Sequence, residues 1–386
     1  MRKNIDISML ATSTLDRPSG DVFRILSLLS GISKIGGNVN LITPKPYSDF
    51  PIKLPSDINV MWLEGYQTSY LQAPNCIRNI YKYSQLNKLI KKLRKNRNSI
   101  VQVEHSLIGG YLASMGHKNY ILDVHGLVFD EIKYASTPSY IPINLYQKYI
   151  YTLEKLGVRN ALKVIVVSMP MKRFIMSTWG ILEEKIEIIP NGYFEEKVNN
   201  CRNINVTKRT VSFIGLLEKW ANVDKIIEAA NNLRNEDILF YIVGDGSYKE
   251  QLEQLARKYA LNNIIFTGFV PIDEAYKIMA QSEVLLAPFP KTLALEVACP
   301  IKLLEYMALG KNIVVDNVGE VPQMLKDNNA AFVTDPHKDS DFTEGIRVLV
   351  DEGTHMKELG QRAKALAGSF TWKKQGERLA KMYNEL

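Results

Sequence analysis

The chain has 386 residues, 46% hydrophobic and 23% charged, with a formal net charge of +7. That length exceeds one ordinary core and that balance is globular, so a disordered or fibrous chain is excluded and two cores are expected. Cys76, Cys201 and Cys299 are too few and too far apart for a disulfide framework or a thiolate zinc centre, and the five histidines are similarly scattered.

The opening MRKNIDISML reads as a first strand: Asn4 and Asp6 break its apolar run, and no small-residue cleavage site follows. No stretch of about 18 apolar residues occurs, so a cytoplasmic location is expected. A helix is predicted over 22–35, then strands at VNLIT and INVMWL, and a long helix ending near Arg94. IVQVEH, YILDVHG, KVIVVS and IEIIP follow as strands. Alternating strands and helices predict a largely parallel sheet covered on both faces. Residues 195–209 carry few apolar side chains and read as an interdomain linker. The alternation then restarts with TVSFIG, LFYIVG, IIFTGF, VLLAPF, NIVVD and AAFVT, separated by helices. The expected architecture is α/β, with two doubly wound Rossmann-like domains facing across a cleft. The first covers 1–194 with a returning helix over 372–386, and the second covers 195–371. Ligands of such sheets bind beyond the carboxyl ends of the strands.

The strongest basic cluster, KLIKKLRKNRN at 88–98, reads as the wet face of an amphipathic helix whose apolar side is Leu86, Leu89, Ile90 and Leu93. Tyrosines interleave with lysines at Tyr66, Tyr70, Tyr81 and Tyr83, and again at Tyr134, Tyr140, Tyr146, Tyr149 and Tyr151. Amphipathic tyrosines suit core packing and an anionic membrane surface equally, so peripheral contact with the inner membrane face stays open.

The segment CPIKLLEYMALG at 299–310 joins a turn, a helix N-terminus and one carboxylate, Glu305. A proline in the first turn costs no hydrogen bond, and the amides behind it attract phosphate. Glu305, one turn on, suits the vicinal diol of a ribose; its alternative role is to complement the helix dipole. The loop at Arg17, Pro18, Ser19 and Gly20 and the loop IVGDGS, with Gly244, Asp245 and Gly246, each lie between a strand and a helix. Both fit a phosphate or ribose contact and equally an ordinary turn. His125 ends a strand two residues after Asp123, and Glu104 with His105 ends the preceding one. An imidazole there suits a sugar hydroxyl or a proton transfer, although a lone histidine is more often structural. Asp339 to Asp341 reads as a solvated helix start, so no metal is expected.

In this order the pieces resemble the retaining glycosyltransferases of the GT-B fold, family 4. The resemblance runs through the Ser19-Gly20 loop, His125, Val167-Ser168, IPNG ending at Gly192, FIG ending at Gly215, GDG at Gly244, FTGFV ending at Val270, CPIKLLEYMALGK and the closing WKKQGERLAKMYNEL. It implies transfer of a sugar from a nucleotide-diphosphate sugar to a saccharide or lipid-linked saccharide, with no cofactor and no nucleic acid. It further implies that Glu305 holds the donor ribose, Phe269 and Val270 meet the base, and Ser19 and Gly20 lie near the diphosphate. Pro300 and Ile301 would meet the phosphates by their backbone, His125 the transferred sugar. Asn191 and Gly192 would shape the cleft floor, Gly215 and the Gly244-Asp245-Gly246 loop would face the donor, and Glu104 and His105 the acceptor.

Three departures stand out. The family's usual arginine and lysine after the FxG strand are replaced by Leu216 and Ala221, leaving Lys219, Lys302 or Arg17 to neutralise the diphosphate. The glutamate that many members carry at the position of Val297 is one step off, at Glu296. Lys302 replaces a commoner small or proline residue, as in a subset reading SPxKxxEYMA, here with Cys for Ser. A GT-B nucleotide-sugar epimerase using Glu104 and His105, and a non-catalytic nucleotide-sugar-binding subunit, are the competing readings.

Overall fold

A computed structural model describes residues 6–11, 13, 15, 19–33, 37–45, 54, 56, 58–63, 90–91, 99–133, 142–351 and 357–386. Arg17, the first tyrosine group, Tyr134, Tyr140 and nearly all of the basic cluster lie outside the described residues. The chain divides into two compact units, one formed by Met1–Asn191 with Trp372–Leu386 and the other by Gly192–Thr371. Among the described residues, no helix is long and apolar enough to cross a membrane.

The first unit holds a parallel sheet of seven strands in the order β3-β2-β1-β4-β5-β6-β7. Its strands are β1 (Asp6–Leu10), β2 (Asn38–Pro44), β3 (Asn59–Leu63), β4 (Ser99–Glu104), β5 (Ile121–Val124), β6 (Lys163–Val166) and β7 (Ile186–Ile188). β5 is buried at every residue, as expected for a central strand with both faces covered. Helices α1 (Gly20–Ser33), α2 (Ser106–Ser114), α3 (Ile143–Asn160) and α4 (Met169–Trp179) link these strands. Strand order reverses at β1, which lies between β2 and β4, so the loops after β1 and β4 flank the switch point.

The second unit repeats the plan with six strands in the order β10-β9-β8-β11-β12-β13. These are β8 (Thr210–Ile214), β9 (Leu239–Val243), β10 (Ile264–Gly268), β11 (Val284–Ala287), β12 (Asn312–Asp316) and β13 (Phe332–Thr334). Its helices are α5 (Glu195–Asn200), α6 (Asp224–Asn232), α7 (Lys249–Lys258), α8 (Ile272–Gln281), α9 (Ile301–Ala308), α10 (Glu320–Asp327), α11 (Asp339–Asp351) and α12 (Lys357–Ala367). The switch point is β8, between β9 and β11.

The expected linker over 195–209 is corrected: its start is α5, which packs on α8 and α9 within the second unit and buries Val198. A short helix needs only one anchored apolar side chain, so low hydrophobicity concealed it. The last helix, α13 (Trp372–Asn384), belongs to the first unit and packs on α1. A Cβ on Gly31 would stand 2.5 Å from the Cα of Gly376, so this crossing admits no side chain at either position. Leu379, Met382 and Tyr383 complete the core under α1 and β1, and the Tyr383 hydroxyl bonds Gln102 Oε1 on β4.

Candidate active site

In the second unit, the polar groups gather at the start of α9. Pro300 stands at the N-cap, one position before the first turn in which the sequence placed it, and no side chain caps the helix. Among the described residues no acceptor meets the amides of Ile301 and Lys302, so the end keeps the partial positive charge that favours anions.

Glu305 is buried on α9, and Tyr276 on α8 donates its hydroxyl to Glu305 Oε1 at 2.9 Å. Burial pushes the carboxyl up to about 7, against the Tyr276 hydrogen bond and the charge of Lys302, which both pull it down. Lys302 Nζ rests 3.9 Å from the centre of the Phe213 ring. Burial brings its ammonium down to about 7, with Glu305 opposing the shift. No carboxylate pairs with it among the described residues. Gly215 makes room for it: a Cβ there would lie 2.6 Å from Lys302 Nζ.

The Gly215 loop is held by backbone alone. Gly215 N donates to Val243 O and Leu217 N to Asp245 O, each at 3.0 Å. A Cβ on Gly244 would fall 1.9 Å from Gly215 O, so the glycines of the GDG sequence first serve this loop-on-loop approach. Asp245 bonds the Gly246 amide with its own side chain, and Glu218 accepts from both the amide and hydroxyl of Ser247. Lys219 is exposed, and Phe269 and Leu216 are 53% and 49% exposed. Val297 is buried, while Glu296 closes the short helical turn Leu293–Glu296.

The first unit builds a separate polar network at the ends of β4 and β5. Arg24, fully buried on α1, donates to both oxygens of Asp123 at 2.9 Å and to Asn191 Oδ1 at 3.0 Å. It thus ties α1, β5 and the Pro190-Asn191 turn together. Glu104 accepts from Gln102 at 2.7 Å, and its other oxygen lies 3.8 Å from His125 Nδ1. Those last two atoms are buried without hydrogen-bond partners. Burial and the neighbouring Asp123 raise the Glu104 carboxyl well above its ordinary value, and burial lowers the His125 imidazole.

His105 holds a left-handed φ of 83° at the start of α2, with its ring 5.7 Å from that of His125. Burial brings it down to about 4. Such a φ is costly for a residue with a Cβ and marks a constrained site. At the loop after β1, Asp21 accepts from the hydroxyls of Ser13 and Ser19, and these bonds outweigh burial to hold its carboxyl low. The amide end of α1 beside Gly20 therefore already has a resident carboxylate. Glu154 on α3 accepts from the amides of Val128 and Phe129 at 3.1 and 2.9 Å and orders the chain just beyond His125.

Glu104, Asp123 and His125 bring potential ligand atoms within 4.8 Å of one another. Arg24 already neutralises both oxygens of Asp123, and a cation there would face the guanidinium, so the cluster is better suited to hydrogen bonding than to a metal. Asp339 and Asp341 open α11, the solvated helix start that their sequence context predicted.

Sequence reading placed Glu305, Lys302, Gly215, Asn191, Asp123 and His125 in these networks. It missed Arg24, Glu154 and Tyr276, whose partners are distant in sequence, and Asp21, whose partners Ser13 and Ser19 lie in its own loop.

The Glycosyltransferase Family 4 family matches residues 20–196, and Glycosyl transferases group 1 matches residues 195–366. An uncharacterized glycosyltransferase of Methanocaldococcus jannaschii is 28% identical over 248 residues, spanning 62% of each chain. The chain thus covers about three-fifths of the curated relatives it matches first. The solved structure of WaaG, a glycosyltransferase involved in lipopolysaccharide biosynthesis, aligns with a TM-score of 0.74 at 15% identity over 98% of this chain and 99% of WaaG. Anabaena HepE in complex with UDP-glucose aligns with a TM-score of 0.70 at 14% identity over 99% of this chain and all of HepE (100%). One glycosyltransferase family model thus matches each of the two Rossmann-like units, and the chain has the fold of WaaG and HepE.

Proposed function

We propose that the chain transfers a sugar from a nucleoside-diphosphate sugar to a saccharide or lipid-linked saccharide, with retention at the anomeric carbon. The observation that carries this reading is the start of α9: uncapped amides, an ammonium without a carboxylate partner at Lys302, and a buried acceptor at Glu305. The amides and Lys302 suit a diphosphate, and Glu305 suits the ribose diol. The nucleotide sugar bound by HepE supports the same ligand class here.

Lys302 takes the place of the cations missing at Leu216 and Ala221. It supplies charge-assisted bonds worth roughly 1.5–3 kcal/mol each. Exposed Lys219 lacks such a fixed position. As the sugar–phosphate bond breaks, negative charge grows on the departing diphosphate, and Lys302 with the amides of α9 stabilises it. The acceptor hydroxyl attacks the same face and passes its proton to the leaving phosphate, so no protein base and no metal are required. His125 meets a hydroxyl of the transferred sugar and acts by orientation. The resemblance of CPIKLLEYMA to the SPxKxxEYMA pattern fits this use of Lys302.

A lipid-linked acceptor is supported by α3, where Ile143, Leu145 and Tyr149 are exposed beside Lys148. Flotation with anionic vesicles tests that part, and absence of retention removes it. The donor reading is tested by thermal-shift screening of nucleotide sugars, followed by Glu305→Ala and His125→Ala. Glu305→Ala weakens nucleotide binding about tenfold or more, whereas His125→Ala mainly slows turnover. Unchanged affinity in Glu305→Ala overturns the assignment. Leu216 and Ala221 favour a second reading, a subunit that binds nucleotide sugar without turnover; binding with no product across an acceptor panel selects it.

A further inference from the structure

We propose that Tyr276 is a positioning residue for donor binding, its phenol fixing the Glu305 carboxylate as the acceptor for the donor's vicinal diol. This deepens the donor-site reading above and rests on it. Tyr276 is 1% exposed, and its hydroxyl is 2.9 Å from Glu305 Oε1. The phenol hydroxyl is the donor in this pair and the carboxylate the acceptor. Rotation of Glu305 about its last bond is then opposed from the Oε1 side, leaving Oε2 to meet a ligand. A phenylalanine fills nearly the same space, so core packing alone does not call for the hydroxyl.

The charged groups on elements packed against α9 are Glu195, Glu196 and Lys197 of α5, Asp273, Glu274 and Lys277 of α8, Asp316 of β12, and Glu358, Arg362 and Lys364 of α12. The Glu305 proton, however, responds to burial first and then to Tyr276 and to Lys302 on its own helix. Both partners favour the ionised form. Removing the phenol therefore raises the pH at which Glu305 becomes an acceptor, whereas a purely structural tyrosine leaves it in place.

The test titrates the whole chain with UDP, ADP and GDP by calorimetry, then with the nucleoside of whichever binds. A nucleoside lacks phosphates and so reports Glu305 with little contribution from Lys302. For the wild type, nucleoside affinity falls as pH drops through about 7, because protonated Glu305 accepts poorly. In Tyr276→Phe the midpoint moves upward by roughly one pH unit, with a loss of about fivefold to tenfold at pH 7. In a Glu305→Gln background the same change leaves the pH profile unaltered. If Tyr276→Phe folds poorly, 3-fluorotyrosine placed at 276 alone, a stronger donor of the same shape, moves the midpoint downward. Superimposable profiles for either variant, with Glu305→Ala still weakening binding, overturn the role of Tyr276 and leave the donor site standing. No binding of any of the three nucleotides, or full binding by Glu305→Ala, overturns the donor site itself.

Discussion

The polar clusters of the two units solve opposite problems. In the first, Arg24 and Asp123 satisfy each other with two parallel bonds, and Asn191 takes a third. Charge there is spent internally, and the result is a fixed scaffold under His125. In the second, among the described residues, no carboxylate forms an ion pair with Lys302 and Glu305 is bonded by the Tyr276 phenol, and both sit near the point of changing charge at neutral pH. A cluster left short of partners is primed for a ligand that brings its own, whereas the saturated Arg24–Asp123 pair gives stability and position, with Glu104 Oε2 and His125 Nδ1 beside it still unpaired.

The comparison breaks most readily at Arg24. Arg24→Met leaves Asp123 buried and unpaired, and urea denaturation should report a loss of about 3–5 kcal/mol. A loss near zero would mean that the first network is no more committed than the second. The next effect falls at Lys302. Lys302→Met should lower nucleoside-diphosphate affinity about tenfold or more with much less change for the nucleoside, and should leave the melting temperature unchanged or higher, since a desolvated cation is removed. Equal losses for both ligands would place the diphosphate elsewhere.

The pH dependence follows from the same two groups. Lys302 is lowered, so it carries its charge below about 7 and loses it above; Glu305 is raised, so it gains its charge above about 7 and loses it below. Diphosphate affinity should therefore peak near pH 7, and its alkaline decline should vanish in Lys302→Met, measured by calorimetry across pH 5.5–9 or so. The smallest effect is a gain. Leu216 is exposed, so Leu216→Arg restores the family's usual cation without disturbing the core and should tighten diphosphate binding a few-fold. Ala221 is buried, and a lysine there would instead desolvate its charge.

The sheets were legible because parallel strands are buried on both faces and so read as unbroken apolar runs; ILDV and VLLA are buried throughout. Glu305 was legible because it is the one carboxylate on an otherwise apolar helical face. Arg24 was not, since an arginine in a helix ordinarily points to solvent and its partner lies across the fold on β5. Tyr276 resembled any core aromatic; only the position of its oxygen distinguishes it. The GDG glycines pointed to a ligand, yet their immediate neighbour is another loop, a contact with no local signature. Helix α5 escaped because six residues with one buried apolar side chain carry no periodicity.

The glycine crossing of α13 on α1 bears on how the polypeptide comes off the ribosome. The second unit stands between α1 and α13 in sequence, so the first unit's core is assembled from two separate stretches of chain. Until residues 372–384 have been made, the face of α1 that takes α13 stays open, a transiently exposed apolar surface of the kind that invites aggregation.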